Sequence, residues 1–212
     1  MGLHFSKEEF LKRKTQVLQS IKGQNLDALI MFRQESMYWL TGYDTFGYVF
    51  FQTLILDKNG NTILLTRAPD FRQAQNTSNI EDIRIWVDKD GSNPTDDFKV
   101  ILEELNLKGK NLGIEYEAYG LTGRNAMRLN KSLENYCNVD DKSDLITKLR
   151  VVKSKEEIVY VKKAAELADK ALDEVWKHAK TGVSESKILA EMNRVIFEGG
   201  GDYPANEFII GS

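Results

Sequence analysis

Residues 49–66 read Val-Phe-Phe-Gln-Thr-Leu-Ile-Leu-Asp-Lys-Asn-Gly-Asn-Thr-Ile-Leu-Leu-Thr, two apolar runs on either side of a short polar segment. The runs at 49–56 and 62–66 have the length and composition of buried β-strands. Between them, Asn59-Gly60 is the strongest short-range signal for a β-hairpin. This stretch therefore predicts two antiparallel strands joined by a tight turn.

Strands and helices alternate on both sides of this hairpin. Upstream, Ser6-Lys7-Glu8-Glu9 is a capping box that starts a helix to about Ile21, and the apolar run at 27–32 is typical of a buried strand. Downstream, the pattern predicts helices at 67–77, 96–106 and 122–133, and strands at 83–87, 111–116 and 136–139. The sequence thus predicts an α/β domain whose mixed β-sheet is flanked by helices.

The pattern changes after a polar break at residues 140–143, so we place a domain boundary there, with domains at 1–140 and 141–212. Ser154-Lys155-Glu156-Glu157 is a second capping box, and it opens a long helix with an apolar stripe from Ile158 to Ala179. A further helix is predicted at 185–198, with Gly199 as its stop, and then a strand at 208–210. Two helices with wide apolar faces but only one strand predict an incomplete α+β domain.

The overall composition and charge of the chain bear on its partners and its location. A net charge of −3 with 42% apolar residues gives no reason to expect nucleic acid or an anionic membrane as partner. No apolar stretch approaches the roughly 18 residues that a membrane span needs, and residues 1–5 do not resemble a secretory signal. A single cysteine, Cys137, excludes an internal disulfide and fits a reducing compartment. We therefore expect a cytoplasmic protein.

Few residues of the chain carry metal or nucleophile chemistry. The two histidines are His4 and His178, whereas a tight transition-metal site draws on several ligands brought together in space. His178 lies late in the long helix, where a cation complements the helix dipole. Cys137 is interpreted as a small core residue. We therefore expect no metal site in these residues and no tight binding of manganese, cobalt or zinc.

Aromatic residues concentrate in the segment Ser-Met-Tyr-Trp-Leu-Thr-Gly-Tyr-Asp-Thr-Phe-Gly-Tyr between two predicted strands. Two interpretations are open: a binding surface or subunit contact, and packing of a helix start on the sheet. For Tyr38 and Trp39 we favour packing. For Tyr43, Asp44 and Phe46 the two interpretations are balanced.

Charged residues follow the second strand of the hairpin. Arg67, Asp70 and Arg72 stand where α/β proteins often place ligand groups. An exposed charge cluster is the commoner explanation of such a group, and we favour it.

Several segments, in order and at matching spacing, resemble the creatinase/prolidase family, whose catalytic domain has the pita-bread fold. They are Tyr38-Trp39-Leu40-Thr41-Gly42, Leu149-Arg150, Val152-Lys153-Ser154, Glu157-Ile158 and Gly182-Val183-Ser184-Glu185. The resemblance implies that residues 1–140 form a creatinase-like N-terminal domain and residues 141–212 the opening part of a pita-bread domain.

Complete relatives in this family hydrolyse C–N bonds in Xaa-Pro dipeptides, N-terminal Xaa-Pro peptides, creatine or ectoine-type compounds. The peptidase branch uses two divalent metal ions (manganese, cobalt or zinc), and the creatinase branch uses none. The resemblance implies that the first catalytic histidine follows a few residues beyond the position of Ser212. No catalytic residue, metal ligand or cofactor is therefore assigned here, and we expect this chain alone not to be catalytic.

For the complete protein, the resemblance implies a homodimer that acts on a small peptide or small amide. In relatives similar to creatinase, the loop equivalent to Tyr43, Asp44 and Phe46 reaches across the dimer toward the neighbour's pocket, so these three residues are the candidate substrate-binding residues. The alternative is a non-catalytic binding or regulatory module derived from the N-terminal domain.

Overall fold

The computed structural model of the chain describes residues 3–203 and 208–211. The chain divides into two compact units, Met1–Val152 and Lys153–Ser212. The first unit is an α/β domain with one six-stranded mixed sheet, as predicted from the alternation of strands and helices. Its strands are β1 (Ala28–Met31), β2 (Thr53–Asp57), β3 (Thr62–Arg67), β4 (Asp82–Trp86), β5 (Asn111–Ile114) and β6 (Asn138–Asp141).

The strand order is β4-β3-β2-β1-β5-β6. β2 is antiparallel to both of its neighbours, β1 and β3, and the other neighbouring pairs are parallel. The predicted hairpin is therefore confirmed, with Leu54 paired to Leu64. Gly60 takes a φ of +93° in its turn, and the Asp57 carboxylate accepts hydrogen bonds from the amides of Asn59 and Asn61.

Helices cover both faces of the sheet. Alternate strand residues point to opposite faces, so Ile30 and Ile55 lie in one core while Leu29 and Leu54 lie in the other. The helices of this unit are α1 (Lys7–Gly23), α2 (Gln34–Thr41), α3 (Phe71–Thr77), α4 (Pro94–Glu104), α5 (Gly123–Leu133) and α6 (Asp144–Arg150). Helices α4 and α5 contribute to the first core, and α1, α2, α3 and α6 to the second.

The segment between β1 and β2 contains two short helices that were not predicted as separate elements. Helix α2 carries Tyr38 and Trp39, of which Trp39 is buried in the core, and it ends at Gly42 with a φ of +82°. A 3₁₀ turn follows at Phe46–Val49, so the first strand of the hairpin begins at Thr53 rather than at residue 49. The apolar run at 49–56 thus combines the end of a turn with a strand.

The first unit extends to Val152, beyond the boundary predicted at residue 140. The polar break at 140–143 is the end of β6 and the connection to α6. Leu145 and Ile146 of α6 are buried in the core that α1 and α2 also line. The polar residues therefore mark a surface loop within the unit.

The second unit is a pair of helices, α7 (Lys155–His178) and α8 (Glu185–Glu198). The predicted capping box is present, because Ser154 and Glu157 each accept a hydrogen bond from the other's backbone amide. Ala171 and Ile188 are buried between the helices. The predicted apolar stripe is offset from this contact, since Ile158 and Leu172 keep 39% and 52% of their surface exposed.

The strand predicted at 208–210 is wrong. Phe208, Ile209 and Ile210 have no strand structure and are not part of the described sheet. A strand needs a neighbour for its backbone amides and carbonyls, and an apolar sequence alone does not supply one. Among the described residues, no helix combines the length and apolar composition that a bilayer crossing requires.

Candidate functional site

The carboxyl ends of five strands lie along one edge of the sheet. β1, β3, β4, β5 and β6 run in the same direction, and β2 runs in the opposite direction. The connection from α2 to β2 therefore lies at this edge as well, which we call the carboxyl edge. Ligand groups of α/β folds are commonly found at such an edge.

A buried carboxylate organises the centre of the carboxyl edge. Glu115 follows β5 directly and is fully buried. Its Oε2 accepts hydrogen bonds from the amides of Phe32 (3.1 Å) and Arg33 (3.0 Å), and its Oε1 accepts one from the Ser36 hydroxyl (2.6 Å). Burial outweighs these bonds and raises the pKa of Glu115 to about 7. Glu115 thereby ties the end of β5 to the start of α2.

Arg33 connects three segments at the same edge. Its Nη2 lies 2.7 Å from Oε2 of Glu117, and its Nη1 donates to the Thr147 hydroxyl at 2.6 Å. Arg33 and Glu117 line an open cavity of about 380 Å³, together with Tyr48 and Tyr119. The cavity offers one cation, carboxylates and two aromatic rings to a small polar ligand.

The structure places Tyr43, Asp44 and Phe46 at three different depths. Tyr43 is fully buried, its hydroxyl donates to Oε1 of Gln52, and burial raises its pKa above the ordinary tyrosine value. Asp44 is half-buried and donates its backbone amide to the Thr77 hydroxyl. Phe46 keeps 75% of its surface exposed. Of the three, Tyr43 anchors the loop, whereas the Phe46 side chain is presented to the outside.

Phe46 belongs to an exposed set of rings that we call the aromatic surface: Phe46, Tyr48, Phe50 and Tyr119. The rings of Tyr48 and Tyr119 meet edge to face at 5.9 Å. Gly120, next to Tyr119, lies against the backbone of Phe50, since a Cβ there would be 2.3 Å from the Phe50 carbonyl oxygen. Large exposed aromatic groups are typical of binding and interface surfaces.

The predicted charge cluster after β3 is not exposed as a whole. Arg67 and Asp70 are largely buried and form an ion pair at 3.0 Å, while Arg72 is exposed. The Arg67 guanidinium also lies 3.4 Å from the ring centroid of Phe50, a cation–π contact. Asp70 is buried beneath Gly47. The Arg67–Asp70 pair therefore packs against the aromatic surface at Phe50 and against Gly47.

The first unit offers little for nucleophilic catalysis. Cys137 is half-buried, and burial raises the pKa of its thiol to about 11, so the thiolate is scarce at neutral pH. His4, the histidine of this unit, hydrogen-bonds the Tyr38 hydroxyl at 2.8 Å. Neither residue belongs to the aromatic surface or the adjoining cavity. The arrangement at the carboxyl edge is suited to binding.

In the second unit, His178 lies in the last turn of α7, as predicted, and also meets two carboxylates. Its Nε2 is 3.2 Å from Oε2 of Glu174, and Glu191 of α8 completes the group. Potential ligand atoms of the three residues lie within 4.8 Å of one another. Sequence spacing did not suggest this group, because it requires the packing of α8 on α7.

Sequence reasoning missed Arg33, Glu115, Glu117 and Tyr119 as members of the site. A signal for one of them was available: Arg33 comes directly after the apolar run at 27–32 that was predicted as a buried strand, whereas Glu115 was placed within the strand predicted at 111–116. Side chains directly after a strand lie at the carboxyl edge of a parallel sheet. The proximity of Arg33 and Glu115 depends on β1 and β5 being adjacent, which the sequence did not establish.

Comparison with known proteins gives a match to the model of the creatinase/prolidase N-terminal domain over residues 13–152. An uncharacterized hydrolase/peptidase of Sinorhizobium fredii is 27% identical over 208 residues, 95% of this chain and 53% of the relative. The ectoine hydrolase of Halomonas elongata is 25% identical over 221 residues, 97% of this chain and 55% of the relative. The chain thus spans about half the length of these relatives.

Solved structures show the same fold. The prolidase of Thermococcus sibiricus has a TM-score of 0.73 and 21% identity, with 91% of this chain and 50% of that one covered. A dipeptidase of Pyrococcus horikoshii has a TM-score of 0.70 and 22% identity, with 88% and 49% covered. At these identities the likeness establishes the fold of the chain.

Proposed function

Because this chain belongs to the creatinase/prolidase N-terminal domain family, we propose that it is the N-terminal portion of a pita-bread hydrolase that cleaves C–N bonds. The proposed substrates of the whole protein are small: an Xaa-Pro dipeptide or peptide, or a small amide such as creatine or ectoine. The relatives carry names that fit this range, since one is an ectoine hydrolase and others are prolidases and dipeptidases.

The binding role that we propose for this chain within such a protein depends on one observation, the aromatic surface. Four large rings are exposed, and two of them, Tyr48 and Tyr119, line a cavity of about 380 Å³ whose lining also includes an arginine and a glutamate. Aromatic rings contribute much of the energy of protein interfaces and of small-ligand binding. The first unit would therefore bind and position, while bond cleavage takes place elsewhere in the whole protein.

The loop that carries Tyr43, Asp44 and Phe46 would act across a homodimer, toward the neighbour's substrate pocket. In this arrangement Phe46 would contact the substrate or the pocket rim, since its side chain is exposed. Tyr43 would hold the loop through its bond to Gln52, and Asp44 through its bond to Thr77. A cytoplasmic location is part of the same proposal and is supported by the half-buried free thiol of Cys137.

Two divalent metal ions (manganese, cobalt or zinc) would serve the whole protein if it belongs to the peptidase branch. The first unit does not fit such a centre, because its described residues contain no group of three His, Cys, Asp or Glu side chains close enough to share an ion. No catalytic step is therefore assigned to these side chains. A non-catalytic binding module remains the second candidate, favoured by the binding character of the carboxyl edge.

Replacing Phe46 with alanine in the longest product of the reading frame tests this role. Hydrolysis of an Xaa-Pro dipeptide should show a KM raised by about tenfold with kcat little changed, because the loss of one aromatic contact of about 1.4 kcal/mol weakens binding by that factor. Leu11→Ala is the matched control, since Leu11 is similarly exposed (68%) but lies on α1. Equal effects of the two substitutions would contradict the proposed role of the loop.

A further inference from the structure

The group Glu174, His178 and Glu191 joins the two helices of the second unit. Glu174 and His178 stand four residues apart on α7, so they share one face of that helix, and Glu191 comes from α8. Their side chains are 15%, 24% and 27% exposed, respectively. Ala171 and Ile188, buried between the helices, hold the two backbones in place beside the group.

The three side chains have the composition of a divalent transition-metal site. Imidazole and carboxylate ligands suit zinc, and three protein ligands with one open position are a common zinc arrangement. Around a tetrahedral ion with bonds of about 2.0–2.1 Å, neighbouring ligand atoms lie about 3.3 Å apart. His178 Nε2 and Glu174 Oε2 are already 3.2 Å apart. All three ligand atoms lie within 4.8 Å of one another. A side-chain shift of about 1.5 Å in Glu191 would therefore bring its carboxylate to the tetrahedral spacing from the other two ligands.

Two cations compete with an ion for these carboxylates: Lys177, whose Nζ lies 3.4 Å from Glu174, and Arg194. The Nε of Arg194 lies 2.8 Å from Glu191 and its Nη2 lies 4.0 Å from Glu174. Arg194 also pairs with Glu198 at 2.6 Å. Because Arg194 can retain its bond to Glu198, it can release the other two carboxylates to an ion.

We propose that Glu174, His178 and Glu191 form a site for a divalent transition-metal ion, with zinc as the first candidate, and that the bound ion links α7 to α8. The inference concerns ion binding and the stability of the helix pair, and it is independent of the proposed hydrolase role. It differs from the expectation that the chain binds no such ion, which rested on the scarcity of histidine in the sequence, and the titration below decides between the two.

The test is a zinc titration of the full chain at constant neutral pH against a chromophoric chelator. Every protein carries Cys137→Ser, so that the thiol does not contribute. The parent should bind one zinc ion per chain, and its thermal midpoint should rise with zinc. His178→Ala should weaken binding at least about tenfold. His4→Ala, which alters the other histidine of the sequence, should leave the affinity unchanged.

Arg194→Gln should tighten zinc binding about threefold or more, because it removes a positive charge that competes for two of the ligands. Glu191→Gln, on the other helix, should weaken binding, and circular dichroism of each variant shows whether the helices persist. The inference is overturned if the parent lacks stoichiometric binding, if His178→Ala keeps the parent affinity, or if Arg194→Gln weakens binding while both helices remain formed.

Discussion

The substitution Glu115→Gln removes a buried charge but can keep the hydrogen bonds that Glu115 makes. It therefore measures the free-energy cost of burying that charge. Glu115 is fully buried and accepts from the amides of Phe32 and Arg33 and from the Ser36 hydroxyl. Glutamine has the same shape. Its carbonyl can accept from the two amides while its NH₂ group donates to Ser36, so the three bonds can be kept without an ionised group.

The expected effect depends on pH. Burial raises the pKa of Glu115 from 4.5 to about 7, and at about 1.4 kcal/mol for each pH unit this difference corresponds to about 3 kcal/mol. A raised carboxyl pKa means that the folded state favours the protonated form. That contribution is fully present below pH 4.5 and is lost as the pH rises toward 7. Glu115→Gln should therefore be more stable than the parent by up to about 3 kcal/mol above pH 7, with little difference near pH 4.5.

Urea unfolding at pH 5 and pH 8 of proteins that carry Trp176→Phe, followed by the fluorescence of Trp39 and Trp86, measures this difference in the first unit. Glu117→Gln is the matched control. Its carboxylate is 81% exposed and pairs with Arg33 at the surface, so its loss should change the free energy of unfolding by less than about 1 kcal/mol at either pH. Two results would contradict this reasoning: Glu115→Gln is less stable than the parent at pH 8, or its effect is the same at both pH values. Either result would mean that the cost of burying the charge does not exceed the stabilisation from its hydrogen bonds.

Two further predictions concern the carboxyl edge and the limits of the first unit. Gly120→Ala should destabilise the first unit by about 1–3 kcal/mol, because the added Cβ would lie 2.3 Å from the Phe50 carbonyl oxygen. Gly123→Ala, where nothing lies within 4 Å of the added Cβ, should have little effect in the same thermal melt, and equal losses would contradict the steric argument. Limited proteolysis should cut first near Val152 and leave the first unit resistant, whereas an initial cut inside the hairpin would show that the unit is assigned wrongly.

Local signals predicted most of the helices and strands. The hairpin around Asn59-Gly60 and the capping box of Ser154 are each specified by residues within a few positions of one another, and both are present. The terminal strand at 208–210 was wrong for the opposite reason, since a strand depends on a partner from elsewhere in the chain. Apolar composition alone does not distinguish a run that pairs as a strand, as in the hairpin, from one that does not, as at 208–210.

The candidate site was predicted only in part, because its residues come together through the strand order. Glu115 reaches the amide of Arg33, 82 positions earlier, because β5 lies beside β1. Tyr43 and Phe46 share one loop and were treated alike, yet one ring enters the core and the other is exposed. Phe46 opens the 3₁₀ turn at Phe46–Val49, for which the sequence offered no distinct pattern, whereas Tyr43 precedes that turn.

The most direct test of the central proposal is a hydrolysis assay that compares residues 1–212 with the longest product of the same reading frame. Both proteins are incubated with Xaa-Pro dipeptides, creatine and ectoine, with and without manganese, cobalt or zinc. The account predicts turnover of at least one of these C–N substrates by the longer protein and none by residues 1–212 alone. Metal-controlled turnover by residues 1–212, or a longer protein that cleaves none of the three classes, would contradict it.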